Sequence, residues 1–308
     1  MNPIASLVLI RINGGTAMMR ILGIVGVQIC ICVPIIVFQF CKGKEFFSKE
    51  YWGYALRIGI PIVPHYLSGI ILNQGDRIMI DKMVGLAYSI GMLVQLFISG
   101  MNSALTPWMY SKIKKGDIRS MRKVLQLLSI VVVGIAVALM LISPELVLIF
   151  GSPKYREAVY VIPPVAASVF FIFIYNILSM PQFYYEKTQF LMAASMAAAG
   201  ANVVLNFIFI RLFGYIAAGY TTLACYMLYS VGHYIVSKQI LVNEGIQENL
   251  MNPGFLLACS VFLIGASIIC NLIFPYRILR YAILLASAGL VFWKKELLLK
   301  TMADIRKK

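Results

Sequence analysis

The side chains best suited to bind a charged cargo lie on one face of a single apolar segment. Starting at Arg57, steps of three or four residues lead to Pro61, His65, Ser68, Leu72 and Asp76, which is the spacing of one helical face. A guanidinium group can hold a phosphate through several donors at once, and an imidazole can change its charge near neutral pH. This face predicts anion binding inside an apolar segment. The alternative is that the Arg57 side chain extends to the lipid headgroups on the cytoplasmic side and binds no cargo.

Amide and hydroxyl side chains recur at the same helical spacing in four other segments. They include Gln95 with Asn102, Asn176 beside Tyr175, Asn202 with Asn206, and Tyr226 with Tyr229 and His233. Polar stripes in lipid must face a neighbouring helix or water, so this number of them predicts a bundle around a hydrated cavity. For any single residue, a hydrogen bond between helices is the alternative. The predicted cavity residues are Arg57, His65, Ser68, Gln95, Asn102, Asn176, Asn202 and Tyr226.

Long apolar segments must position these side chains. Of the 308 residues, 61% are hydrophobic and only 13% are charged, whereas a soluble domain is about a quarter charged. Nine segments approach the ~20 residues that a helix needs to cross a bilayer. The predicted fold is therefore all-α, a polytopic membrane helical bundle of nine spans: Ile21–Cys41, Gly53–Asn73, Leu86–Tyr110, Val124–Phe150, Ala158–Phe183, Phe190–Leu212, Gly214–Lys238, Gly254–Ile273 and Ile278–Trp293.

Basic residues between the spans set the predicted orientation. The formal charge is +15, and the two largest basic clusters lie at 111–123 and in the tail at 294–308. The positive-inside rule makes both cytoplasmic, and their natural partners are anionic membrane lipids. Nucleic-acid binding is excluded, because these charges flank apolar spans and do not form one basic face.

No constellation of residues predicts catalysis. The two histidines lie on different spans, the six cysteines show no metal-like spacing, and phosphate-binding loops or hydrolase motifs do not occur. The sequence therefore predicts a protein that is not an enzyme, with no metal and no cofactor. Glu145 is the one acid inside a span, which argues against an ion pump.

Two further groups of residues stand out by their position in the sequence. Charges at the predicted outer mouth of the bundle are Asp76, Arg77, Asp81 and Lys82. Prolines that interrupt a helix can act as hinges or can simply bend the packing, and the hinge candidates are Pro61, Pro64, Pro163 and Pro164.

Several stretches resemble Wzx-type polysaccharide or O-antigen flippases of the multidrug/oligosaccharidyl-lipid/polysaccharide exporter superfamily. They are the residues from Ile58 to His65, from Asn73 to Asp81 with Gly85, from Pro107 to Tyr110, from Phe150 to Tyr155, and the pattern from Asn202 through Gly219. The resemblance implies two six-helix lobes of the kind found in MATE transporters. On that template 1–50 is a remnant of the first lobe whose last helix is 21–41, 51–238 is the second six-helix lobe, and 251–308 is a C-terminal helix pair with a basic cytoplasmic tail.

The resemblance also implies a function. Such proteins move undecaprenyl-pyrophosphate-linked oligosaccharide across the bacterial inner membrane for surface polysaccharide or lipopolysaccharide biosynthesis, by alternating access, alongside polysaccharide polymerase and assembly proteins. Most of the first lobe is absent on this template, so we expect transport to need a chain extended upstream. Two alternatives stay open: a cation-coupled drug exporter of the same superfamily, and a non-transporting fragment. A membrane polymerase is disfavoured, because the longest predicted outside connection, Gln74 to Gly85, is too short to form its catalytic loop.

Overall fold

The computed structural model describes residues 2–13, 17–44, 47–79, 82–151 and 153–293. Every regular element in these ranges is helical, which confirms the predicted all-α polytopic bundle. The helices are α1 Asn2–Asn13, α2 Ala17–Gly43, α3 Lys49–Met79, α4 Lys82–Lys114, α5 Ile118–Phe150, a 3₁₀ helix at Pro153–Tyr160, α6 Ile162–Tyr184, α7 Thr188–Phe213, α8 Ile216–Asn243, α9 Pro253–Ile273 and α10 Arg277–Trp293.

The chain divides into two compact units, with the boundary between Arg57 and Ile58 inside α3. In the first unit α1 and α2 pack against each other. The 27 residues of α2 are enough to cross a bilayer. Apolar side chains along this helix, such as Ile31, Ile35 and Phe38, are exposed, as expected for a surface that meets lipid.

In the second unit α6 is the central helix. It packs against α4, α5, α8 and α9, and 18 of its 23 residues are buried. Its sequence is apolar on all sides except for a short polar stretch, which is typical of a helix surrounded by other helices. A second close pair forms between α7 and α8.

Seven of the described helices are long and apolar enough to cross a membrane, whereas the sequence predicted nine spans. The predicted spans that miss this standard are those in α8 and α10. α8 is long enough, but its buried side carries polar groups such as Thr222, Tyr226 and His233, which lower its hydropathy. α10 has only 17 described residues.

The fifth predicted span is divided into two elements. A 3₁₀ helix ends at Tyr160, and α6 begins at Ile162 with Pro163 and Pro164 in its first turn. Proline is tolerated there because the first backbone N–H groups have no partner within the helix. Pro163 and Pro164 therefore begin α6 and do not interrupt it, and their role as hinges stays a prediction. Pro61 and Pro64 do lie inside α3.

A tight turn joins α4 to α5 at the predicted cytoplasmic side. Gly116 has a φ of +67°, a backbone conformation that glycine adopts without strain. The carboxylate of Asp117 accepts a hydrogen bond from the backbone N–H of Ser120 and pairs with the Lys112 ammonium. The hydrogen bond from Lys112 holds the pKa of the Asp117 carboxyl below its ordinary value, so α5 starts at a charged cap.

Candidate substrate cavity

A cavity of about 500 Å³ opens in the second unit among α3, α4, α6 and α8. Three kinds of polar or aromatic group line it. The amides are Asn73, Gln74, Gln95, Asn102 and Asn176; the hydroxyls are Ser99, Ser103, Thr106 and Ser179; and the rings are His65, Tyr66, Tyr175, Phe183 and Tyr229. Among the described residues that line the cavity, there is no carboxylate, lysine or arginine.

Four of the eight predicted cavity residues line this space, namely His65, Gln95, Asn102 and Asn176. Asn102 is only 8% exposed, and its Oδ1 is buried without a hydrogen-bond partner among the described residues. The Asn176 amide donates to the Ile172 carbonyl at 2.7 Å. The lining therefore contains one amide oxygen, that of Asn102, which the described residues leave without a partner.

The other four predicted residues lie elsewhere. Ser68 is buried, and its hydroxyl donates to the Pro64 carbonyl at 2.7 Å within the same helix. Asn202 and Tyr226 are buried behind the cavity wall. Arg57 belongs to the first unit, where its side chain is exposed, and its contact with cargo stays a prediction.

A hydrogen-bonded network stands behind the wall. The Tyr226 hydroxyl donates to Oδ1 of Asn73, which lines the cavity, at 2.9 Å. Further back, the Asn202 amide donates to the Thr222 hydroxyl at 3.4 Å, and the Tyr88 hydroxyl donates to the same oxygen at 2.9 Å. Tyr226 thus joins α8 to α3, Asn202 joins α7 to α8, and Tyr88 joins α4 to α8. Such bonds between helices are the alternative that the sequence left open for single polar residues.

His65 is held from two neighbouring helices. Its Nδ1 lies 2.5 Å from the Ser195 hydroxyl oxygen of α7 and 2.9 Å from the Tyr229 hydroxyl oxygen of α8. Ser195 and Tyr229 are themselves 2.6 Å apart. These contacts tie the middle of α3 to the α7–α8 pair and fix the imidazole at the cavity.

Aromatic rings form a platform beside His65. The Tyr175 ring lies 4.4 Å from the ring of Tyr229, and it stacks on the rings of Tyr226 and His233 at 6.1 Å and 5.9 Å. Rings in such offset arrangements stabilise one another beyond their buried area. Tyr175 is therefore held rigidly while it still faces the cavity.

Sequence reasoning did not select Tyr175, Tyr229, Asn73 or Ser195. Tyr175 and Tyr229 lay in the polar stripes of α6 and α8, from which only Asn176 and Tyr226 were chosen. Ser195 stands seven residues before Asn202, which is two helical turns on the same face, so the stripe on α7 could have been extended to it. The pairing of Ser195 with His65 has no signal in the sequence.

The predicted outer-mouth charges lie at the junction of α3 and α4. Asp76 and Arg77 are in the last turn of α3, and Lys82 begins α4. Asp81 lies outside the described residues, and the place of these four charges at an outer mouth stays a prediction.

Glu145 has a partner that the sequence did not suggest. Both of its oxygens accept hydrogen bonds from the Arg280 guanidinium of α10, at 2.8 Å and 2.9 Å. The Tyr281 hydroxyl donates to the same carboxylate at 3.0 Å. The one acid inside a predicted span is therefore neutralised at the α5–α10 contact.

Residues 83–208 match the sequence model of the MatE family. This MatE domain extends from the start of α4 into α7 and contributes Gln95, Asn102 and Tyr175 to the cavity. It indicates a membrane transporter of the multidrug/oligosaccharidyl-lipid/polysaccharide exporter superfamily. Comparisons with curated proteins and with solved structures gave no match.

The described residues hold no group of three or more His, Cys, Asp or Glu side chains that could bind a metal ion. The chemistry that the MatE domain and its neighbours offer in the cavity consists of hydrogen bonding and ring stacking.

Proposed function

We propose that this protein translocates lipid-linked oligosaccharide, with undecaprenyl pyrophosphate as the carrier, across the bacterial inner membrane for surface polysaccharide synthesis. The observation that carries the proposal is the lining of the cavity by amides, hydroxyls and aromatic rings. In this view the cavity receives the sugar part of the cargo, and the pyrophosphate is bound elsewhere. The protein acts as a transporter and performs no chemical step.

The lining fits the chemistry of a sugar. Each hydroxyl of a pyranose can donate and accept, so it pairs well with amide oxygens and nitrogens placed around a cavity. The C–H face of the same ring is apolar and can lie on an aromatic side chain. Tyr175 provides such a face, and Asn102 provides an acceptor that is otherwise unpaired. A few placed polar groups in a pocket fix both orientation and specificity.

Export of an organic cation fits the cavity less well. A cation is held by carboxylates, and none lines the cavity among the described residues. Glu145, the acid that could have served, is engaged by Arg280. The specific feature that would suit a cation is the ring platform around Tyr175, because aromatic faces attract positive charge.

We expect cavity variants to reduce transport while a matched variant outside the cavity does not. Asn102→Ala removes the free acceptor and Tyr175→Ala removes the ring, and each should lower translocation about fivefold to tenfold, as expected for the loss of roughly 1–1.5 kcal/mol of polar contact or stacking. Tyr175→Phe keeps the ring and should retain most activity. The measurement is surface polysaccharide in a strain that lacks its own flippase, with the protein expressed from its natural gene and at equal amounts.

Asn271→Ala is the control, because Asn271 lies in α9 and bonds the Tyr220 hydroxyl at 3.2 Å, away from the cavity lining. Equal losses in the control and the cavity variants would contradict the proposal. Efflux of a cationic dye that depends on Tyr175 and not on Asn102 would favour the exporter instead.

The orientation of the chain is a separate prediction. We expect the α4–α5 turn to face the cytoplasm, because it carries one of the two largest basic clusters. Single cysteines at Lys115 and Arg156, both exposed, would be placed in a background without the six native cysteines. An impermeant thiol reagent added to intact spheroplasts should label position 156 and leave position 115 unlabelled until the membrane is opened. Labelling of position 115 from outside would reverse the proposed orientation.

A further inference from the structure

The hydrogen bonds around His65 determine which of its ring nitrogens carries a proton. Ser195 Oγ lies 2.6 Å from the Leu191 carbonyl oxygen and must donate to it, because a carbonyl can only accept. The single hydroxyl hydrogen of Ser195 is then used. At its 2.6 Å contact with Tyr229, Ser195 therefore accepts, and Tyr229 donates.

Both hydroxyl oxygens consequently turn lone pairs towards Nδ1 of His65. These oxygens lie 2.5 Å and 2.9 Å from that nitrogen. A bare Nδ1 would face two acceptors with no hydrogen between them. Nδ1 must therefore carry a hydrogen, which it donates to Ser195 and Tyr229 together. In a neutral imidazole the other nitrogen, Nε2, is then an acceptor.

His233 is held as the opposite tautomer, with its hydrogen on Nε2. The Gln182 amide nitrogen donates to the Leu178 carbonyl at 3.3 Å and lies 2.8 Å from Nδ1 of His233. An amide oxygen in the place of that nitrogen would face another oxygen, so the amide orientation is fixed. Nδ1 of His233 therefore accepts, and its hydrogen sits on Nε2, which is buried without a partner among the described residues.

We propose that Ser195 and Tyr229 hold His65 with its hydrogen on Nδ1, so that Nε2 accepts a hydrogen bond from a sugar hydroxyl of the cargo. No described residue bonds Nε2, and the ring lines the cavity. The groups around the ring are uncharged: Tyr66 of α3, Phe183 of α6, Ser195 of α7, and Tyr229 with His233 of α8. His65 is thus a positioning and specificity residue for hydroxyl groups. The identity of this ligand rests on the proposed function, whereas the position of the proton does not.

Nitrogen NMR of the detergent-solubilised protein with ¹⁵N-labelled histidine can test this, because the chain has only two histidines. A protonated and a bare ring nitrogen have well-separated shifts, and at about pH 8 both rings are expected to be neutral. We expect the two residues to show opposite tautomers, with His233→Asn leaving only the His65 signals. In Ser195→Ala/Tyr229→Phe, His65 should lose its single tautomer and show averaged shifts.

A wild-type His65 with its hydrogen on Nε2 would overturn the proposal without any variant, and so would an unchanged tautomer in Ser195→Ala/Tyr229→Phe.

The ligand is tested by adding an undecaprenyl-pyrophosphate-linked disaccharide or undecaprenyl pyrophosphate alone. A shift of Nε2 with the sugar-bearing lipid only is the expected result. A shift with both lipids, or with neither, would remove the hydroxyl assignment. If transport is normal but the Nε2 signal of His65 does not shift, the proposed function stands and the hydroxyl assignment fails. If transport is absent but His65 carries its hydrogen on Nδ1, only the proposed function fails.

Discussion

Replacing Arg280 with methionine is expected to destabilise the protein by about 3–5 kcal/mol, because the Glu145 carboxylate inside a membrane span loses the guanidinium that bonds both of its oxygens. Arg280 is 3% exposed and Glu145 is 22% exposed. The guanidinium also donates to the Leu141 carbonyl of α5 at 2.7 Å. This variant therefore leaves the Glu145 carboxylate with only the Tyr281 hydroxyl at 3.0 Å and the exposed Arg277 guanidinium at 3.8 Å, and it removes the hydrogen bond to the Leu141 carbonyl.

Arg277 is the matched control on the same helix. It is 66% exposed and stands 3.8 Å from the same carboxylate, so Arg277→Met should cost less than about 1 kcal/mol. Thermal unfolding in detergent should show a Tm lower by roughly 5 °C or more for Arg280→Met, with almost no change for Arg277→Met. Equal shifts in the two variants would show that the paired geometry is unimportant for stability.

Removing both charges separates the ion pair from the packing around it. In Arg280→Met/Glu145→Gln no unpaired charge remains, so most of the lost Tm should return. A double variant as unstable as Arg280→Met would assign the loss to the shape of the arginine side chain instead.

The positions of the helices were largely predictable, because their signal is local. Runs of apolar residues near 20 in length located the ends of each membrane helix to within about six residues. The exceptions have physical causes. The tyrosine, threonine and histidine residues of α8 lower its mean hydropathy although they are buried. Pro163 and Pro164 begin α6, because a proline within an apolar run of the sequence can either interrupt a helix or start one.

The composition of the cavity was less predictable, because a polar stripe shows which face is buried and not what it meets. Asn102 and Asn202 have the same residue type and similar burial, yet Asn102 lines the cavity while Asn202 bonds α8. The partners of His65 and Glu145 lie 130 and 135 positions away along the chain. Such pairs depend on the packing of whole helices, which one sequence without its relatives does not specify.

The second large effect is expected at Gly219. Of the two glycines described in α8, Gly219 and Gly232, it is the one at which α8 lies closer to a neighbouring helix. A Cβ atom at Gly219 would lie 2.8 Å from Cγ of Pro164 and 3.2 Å from the Val161 carbonyl oxygen. Neither atom can move alone, because one belongs to a proline ring and the other to the backbone. Small residues at such crossings let membrane helices pack closely, so a larger residue must push α8 away from α6.

We expect Gly219→Ala to destabilise the protein by about 1–3 kcal/mol and Gly219→Leu by more, whereas Gly232→Ala should be neutral or stabilising by up to about 1 kcal/mol. Gly232 lies on the same helix, and a Cβ there would make only an ordinary contact, 3.7 Å from the Ala194 side chain. At Gly232 the higher helix propensity of alanine is therefore gained without a clash. The measurement is Tm in detergent for the three variants beside the wild type. A Gly219→Ala protein as stable as Gly232→Ala would mean that α6 and α8 can separate freely, and the walls of the cavity would then have no fixed spacing.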